Sequence, residues 1–164
     1  MRFVEWISSS RSKSHWKSWW SLLIALPWIL SFGILGIAFE AHRKADIARM
    51  QETLEVANMF SLGGVGFSGT SSQEELAFKS ILVLPSDTAK QRLERLYSSG
   101  NPQAMSYALA GMRKLDPKRY AELIASARTS DATVHTMSGC IMTNEKLRKI
   151  ADELDSGKYD PWLR

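Results

Sequence analysis

The sequence predicts a mainly α chain: one N-terminal transmembrane helix, then a small domain of stacked antiparallel helical hairpins with one short extended segment. Three observations carry this expectation. Trp19 to Phe39 is a 21-residue apolar run without a charge, four amphipathic stretches open on helix-capping residues, and residues 132–143 are rich in β-branched side chains. The organisation read from these is a basic tail (1–18), a transmembrane helix (19–39), a helical stalk (40–60), a Gly/Ser-rich connector (61–72) and a helical domain (73–164).

With 164 residues, 45% hydrophobic and 23% charged, the chain has room for one modest core beyond the tail and span. The net charge of +4 is concentrated at one end. Arg2, Arg11, Lys13 and Lys17 against Glu5 give the first 39 residues +3, whereas the other 125 hold 17 basic and 16 acidic groups. A basic tail suits a membrane flank; a nucleic-acid surface needs a basic stripe with interleaved aromatics, so no nucleic-acid partner is expected.

A helix of 21 residues at 1.5 Å per residue spans about 30 Å of hydrocarbon, so the bilayer is the expected partner of residues 19–39. Trp16, Trp19 and Trp20 gather at the entry, where indoles favour the headgroup region, and Arg43 and Lys44 bound the exit. Pro27 can kink such a helix without forbidding it. A cleavable signal is the rival reading, but the exit Ala38-Phe39-Glu40-Ala41-His42 places bulky Phe39 three positions before any cut after Ala41. An uncleaved signal-anchor follows, single-pass in the plasma (inner) membrane. The basic tail favours a cytoplasmic N-terminus with the domain outside, against Arg43, Lys44 and Arg49 on the far flank.

Beyond the span, Ile47, Met50, Leu54 and Ala57 follow 3,4 spacing, a stripe for packing on the chain's own domain or on a second copy. The connector contains a dinucleotide-like pattern at Gly64, Gly66 and Gly69. That fingerprint must follow a buried strand, yet a helical pattern precedes it, and Thr70 stands where a phosphate-loop lysine belongs. The default is a hinge or close-packed loop.

Ser72 with Glu75 forms a capping box for the next helix, which stops before Pro85. Another helix opens after Ser86 or Asp87, carries Ala89, Leu93, Leu96 and Tyr97, and ends at Gly100. Asn101-Pro102 and Asp116-Pro117 each put a capping side chain before a proline whose missing amide costs nothing in the first turn. Their stripes are Met105, Ala108, Leu109, Met112 and Tyr120, Leu123, Ile124, Ala127. Residues 132–143 read as an extended segment or short hairpin. Thr143 or Asn144 then caps a last helix with Leu147, Ile150, Ala151 and Leu154 inward, closed at Ser156-Gly157.

The segments GFSGTSSQEELAFKSIL, QAMSYALAGMRKLDP and VHTMSGCIMT, with the preceding apolar helix, resemble an uncharacterised group of bacterial single-span membrane proteins with a small helical domain. The resemblance covers most of residues 65–157. It implies anchorage and a helical fold, and brings no activity.

Chemistry-bearing residues are sparse. The only histidines are His15, His42 and His135, so three or four ligands for a structural zinc are not expected, and no cofactor site is predicted. The lone Cys140 excludes an intramolecular disulfide and reads first as a buried small hydrophobe. His135 and Cys140 are the only candidate catalytic pair, a thiolate and its base, which a turn near Gly139 would have to bring together. The sequence therefore points to a membrane-anchored, non-enzymatic module that binds a protein partner or itself. A thiol-dependent enzyme or redox sensor is the alternative.

Overall fold

The computed structural model describes residues 40–163, so the calls on the basic tail and on the transmembrane helix at 19–39 lie outside the described residues. Among the described residues no helix is long and apolar enough to cross a membrane. The chain divides into two compact units, residues 1–44 and 45–164. Of the first, residues 40–44 are described; they are helical and their side chains are exposed.

The described residues are mainly helical, with a two-stranded antiparallel sheet. Helix α1 occupies residues 40–55. It is followed by α2 (Gln73–Leu82), α3 (Ser86–Ser99), α4 (Pro102–Leu115), α5 (Pro117–Arg128), strands β1 (Thr133–Ser138) and β2 (Ile141–Lys146), α6 (Leu147–Asp155) and a 3-10 turn at Asp160–Trp162. The stalk expected over 40–60 is shorter than that and is not free of the domain. The helix stops at residue 55, and Leu54, Ala57 and Phe60 are buried in the common core, with Met50 half-buried against it. A stripe of this width finds its partner within its own unit.

Helix α4 is the hub. It packs on α2, α3, α5, α6 and β1, which explains why Ala104, Tyr107, Ala110 and Gly111 are buried as well as the expected Ala108, Leu109 and Met112. A helix enclosed on several sides must be apolar on more than one stripe. Gly111 allows the approach: a Cβ there would lie 2.6 Å from Leu93 Cδ1. Met105, at the edge of the predicted stripe, is half-buried. The inward faces expected of α5 and α6 are all buried.

The caps follow the sequence at three helices and depart at three points. Ser72 Oγ accepts from Glu75 N (3.1 Å), Asn101 Oδ1 from Ala104 N (2.9 Å) and Asp116 Oδ1 from Arg119 N (3.1 Å). The capping box is only half made, because Glu75, 1% exposed, turns its carboxylate to Lys79 Nζ (2.6 Å) and leaves Oε2 without a partner. Ser86 and Asp87 lie inside α3, whose first turn is closed by Ala89 N on the Pro85 carbonyl (2.9 Å). Thr143 and Asn144 do not cap α6. They are consumed in β2, and Lys146 precedes the helix without a side-chain cap.

Ion pairs tie the helices along their solvated edges. Arg119 spans Glu94 on α3 (2.5 and 3.1 Å), Lys90 reaches Asp116 (3.1 Å), and Arg128 joins Asp152 (3.1 Å) and Asp155 on α6. Acidic residues on these edges thus fix helix neighbours.

Candidate functional site

The region with surface to offer is the end formed by the connector and the hairpin. Phe60 N donates to His135 O (2.7 Å) and Met137 N to Phe60 O (3.1 Å), so the chain leaving α1 runs beside β1. Farther along, Gly66 N donates to Gly139 O (2.8 Å) and Gly139 N to Gly64 O (3.3 Å). The connector is therefore the close-packed loop of the two alternatives. Gly63, at φ +102, lies where a Cβ would strike the Trp162 indole, and at Gly64, φ +91, a Cβ would come within 2.7 Å of Gly69 O.

These contacts also dispose of the dinucleotide pattern. Loop amides that would cradle a phosphate are spent on the chain's own carbonyls: Val65 N on Thr70 O (2.7 Å), Gly66 N on Gly139 O, and Gly69 N on Gly66 O (3.3 Å). No strand leads into the loop; α1 does.

Beneath the loop is a buried polar knot. Tyr107 OH donates to Ser61 O (3.1 Å) and accepts from Ser61 N (3.1 Å), while Ser61 Oγ meets Ser72 Oγ at 2.9 Å. Burial is the largest influence on Tyr107 and raises its pKa above the ordinary tyrosine value. The phenol is a neutral clasp joining α4 to the connector. Its ring packs edge-on against Phe60, with centroids 4.9 Å apart.

Above the knot the surface is apolar. Phe67, fully exposed at 102%, tops the loop, and Ile141 and Met142 are 69% and 64% exposed at the start of β2. Phe67 and Ile141 lie within two residues of the Gly66–Gly139 hydrogen bond, at the same end. Burying a phenylalanine is worth about 1.5–3 kcal/mol, so a rigid loop that leaves one in water holds binding energy in reserve. The outer edge of β2 is open as well: strand order is β1-β2, and among the described residues nothing else pairs with residues 141–146 in a sheet.

Cys140 is exposed, which corrects the expectation of burial. It occupies the second position of the two-residue hairpin turn, after Gly139 at φ +56, where no core is within reach. His135 is not brought to it. The histidine lies opposite Asn144, three residues before the end of β1, about 10 Å along the strand at roughly 3.3 Å per residue. Its Nδ1 meets Asn144 Oδ1 at 2.6 Å, and no hydrogen bond joins it to the thiol. In this structure the turn at Gly139 does not bring the two side chains into hydrogen-bond contact. Among the described residues no three His, Cys, Asp or Glu side chains converge on a metal position.

A second concavity, an open groove of about 340 Å³, lies between α1 and α2 with Arg49, Met50, Thr53, Leu76 and Ala77 on its walls. Its charged lining residues, Asp46 and Arg49, lie 3.7 Å apart and pair with each other.

Sequence reading passed over Phe67, Ile141 and the paired methionines. The signals were small: one phenylalanine among glycines and serines, and methionines placed symmetrically in Met137-Ser138-Gly139-Cys140-Ile141-Met142. No family model, curated protein or solved structure matches the chain.

Proposed function

We propose that this chain is a single-pass inner-membrane protein whose helical module is non-enzymatic and binds an extended segment of another protein along β2. Anchorage rests on the uncharged run Trp19–Phe39, and on the resemblance to bacterial single-span proteins. The binding reading is carried by one observation: β2 has an open edge, and Ile141 on it and Phe67 near the hairpin turn are exposed. Unpaired backbone groups supply affinity for an incoming strand, and the neighbouring apolar side chains supply its contacts. The orientation proposed is N-terminus in the cytoplasm and residues 45–164 outside.

The test is photo-crosslinking in intact membranes from a photoreactive residue at Ile141, with one at Lys118 on α5 as the control. A discrete heterologous adduct from 141, absent from 118 and abolished by Phe67→Asp, is expected. An adduct of twice the chain's own mass would mean that a second copy occupies the edge, and equal labelling from both positions would remove the site. Anchorage is read in parallel, since the chain should resist alkaline extraction and lose that resistance without residues 1–39. The thiol-dependent alternative is addressed by Cys140→Ser, which should leave both readouts unchanged.

A further inference from the structure

The outer face of the hairpin carries an arrangement that the docking surface does not use. In an antiparallel pair, residues directly opposite share a face, and so do alternate residues of each strand. His135 is opposite Asn144 and Met137 opposite Met142, which puts one imidazole and two thioethers side by side on a single face. The opposite face carries Val134, Thr136 and Thr143, and the threonine hydroxyls meet there at 2.7 Å, in keeping with that assignment. Val134 is completely buried, so its face looks toward the core, whereas His135 and Met142 are exposed.

We propose that His135, Met137 and Met142 form a binding site for a soft monovalent cation of the Cu(I) class. The hydrogen bond at His135 sets the donor. Asn144 Oδ1 only accepts, so Nδ1 carries a proton, and in the neutral ring Nε2 keeps its lone pair; Nε2 has no partner among the described residues. A ligating histidine characteristically gives its other ring N–H to an outer oxygen in this way, and Asn144 is thus a positioning residue.

The donor set decides the metal. Two neutral thioethers and one imidazole suit Cu(I), whereas Ca, Mg and Mn need carboxylate or carbonyl oxygens, and structural zinc is held by four ligands, mostly thiolate or imidazole. The one carboxylate on the hairpin, Glu145, belongs to the other face with Val134 and is held by Lys149 at 2.7 Å. Methionines directly opposite on neighbouring strands have Cβ atoms about 5 Å apart, within reach of a shared ion for side chains this flexible.

Silver(I), which needs no reductant, is the probe. Because an exposed thiol binds silver(I) more strongly than a thioether, calorimetric titration is made on the full chain carrying Cys140→Ser, in detergent, and should show one tight site. Met137→Leu and Met142→Leu preserve side-chain volume, and each should weaken binding by at least the roughly 10–100-fold that follows loss of a supporting group; Asn144→Ala should fall within that range. An independent readout is methyl NMR: silver should shift the ε-methyl signals of Met137 and Met142 and leave those of Met50 and Met112 in place. Absence of a tight site in the Cys140→Ser chain would assign binding by the parent chain to the thiol and overturn the proposal. So would unchanged affinity in both leucine variants, or unmoved Met137 and Met142 methyls.

Discussion

Helix α4 and the β1–β2 hairpin are neighbours in the fold and opposites in what they spend their residues on. Along α4 nearly every side chain from Gln103 to Met112 is buried, and even a glycine is needed to bring Leu93 close. Along β2 no side chain is buried, and two large apolar residues face water. The first is a region where sequence variation costs stability. The second costs little to alter, which leaves its residues available for recognition.

The sharpest way to break this contrast is to shorten one apolar residue in each region. Leu109→Ala removes packing from a completely buried site and should cost about 2–5 kcal/mol, whereas Ile141→Ala should change stability by no more than about 0.5 kcal/mol. Thermal unfolding of the full chain followed by circular dichroism measures both. Comparable shifts in the two variants would mean that Ile141 contributes to the core after all.

Of intermediate size is the clasp between α4 and the connector that lies along β1. Tyr107→Phe keeps the ring against Phe60 but removes the acceptor for Ser61 N and the donor for Ser61 O. A buried amide left without a partner costs about 1–3 kcal/mol. Hydrogen exchange should locate the loss, with faster exchange at the connector amides of Ser61, Val65 and Gly66 and little change in α5.

The smallest effect is electrostatic and belongs to the helical side. The Arg119 amide, and then Lys90, hold the Asp116 carboxyl below its ordinary value of 3.8. A carboxyl depressed in the folded state stabilises it above the unfolded pKa, and that contribution is lost as pH falls through the folded value. Asp116→Asn keeps a capping oxygen but cannot titrate, so its melting temperature should lie below that of the parent at neutral pH and converge on it in acid. A constant gap across that range would assign the loss to the cap alone.

The helices were legible because their signals are local. Asn101-Pro102 and Asp116-Pro117 satisfy amides three residues away, and the stripes of α5 and α6 need only the 3.6-residue period. Gly100 shows the limit of that reading. It ends α3 as expected, but at φ −81, so the stop does not depend on a left-handed conformation; glycine is required because a Cβ would press on Leu96 O and Ala104 Cβ at 2.4 Å. Asn144 shows the same limit from the other side. It has a capping side chain in the right place, but the pairing of β2 with β1 claims its backbone first.

By itself, the sequence determined the mainly helical class, the starts of α2, α4 and α5, and the inward faces of α5 and α6. Each of these depends on residue type at short spacing. Only tertiary structure decided that α4 would be the hub and that the glycine-rich connector would lie along β1. It also set Cys140 in solvent and apart from His135, and aligned His135 with Met137 and Met142 on one face. The reason is physical: burial, strand register and close approach depend on residues distant in the chain, such as Phe60 beside Thr136 or Gly63 against Trp162, and no local pattern encodes which of them will meet.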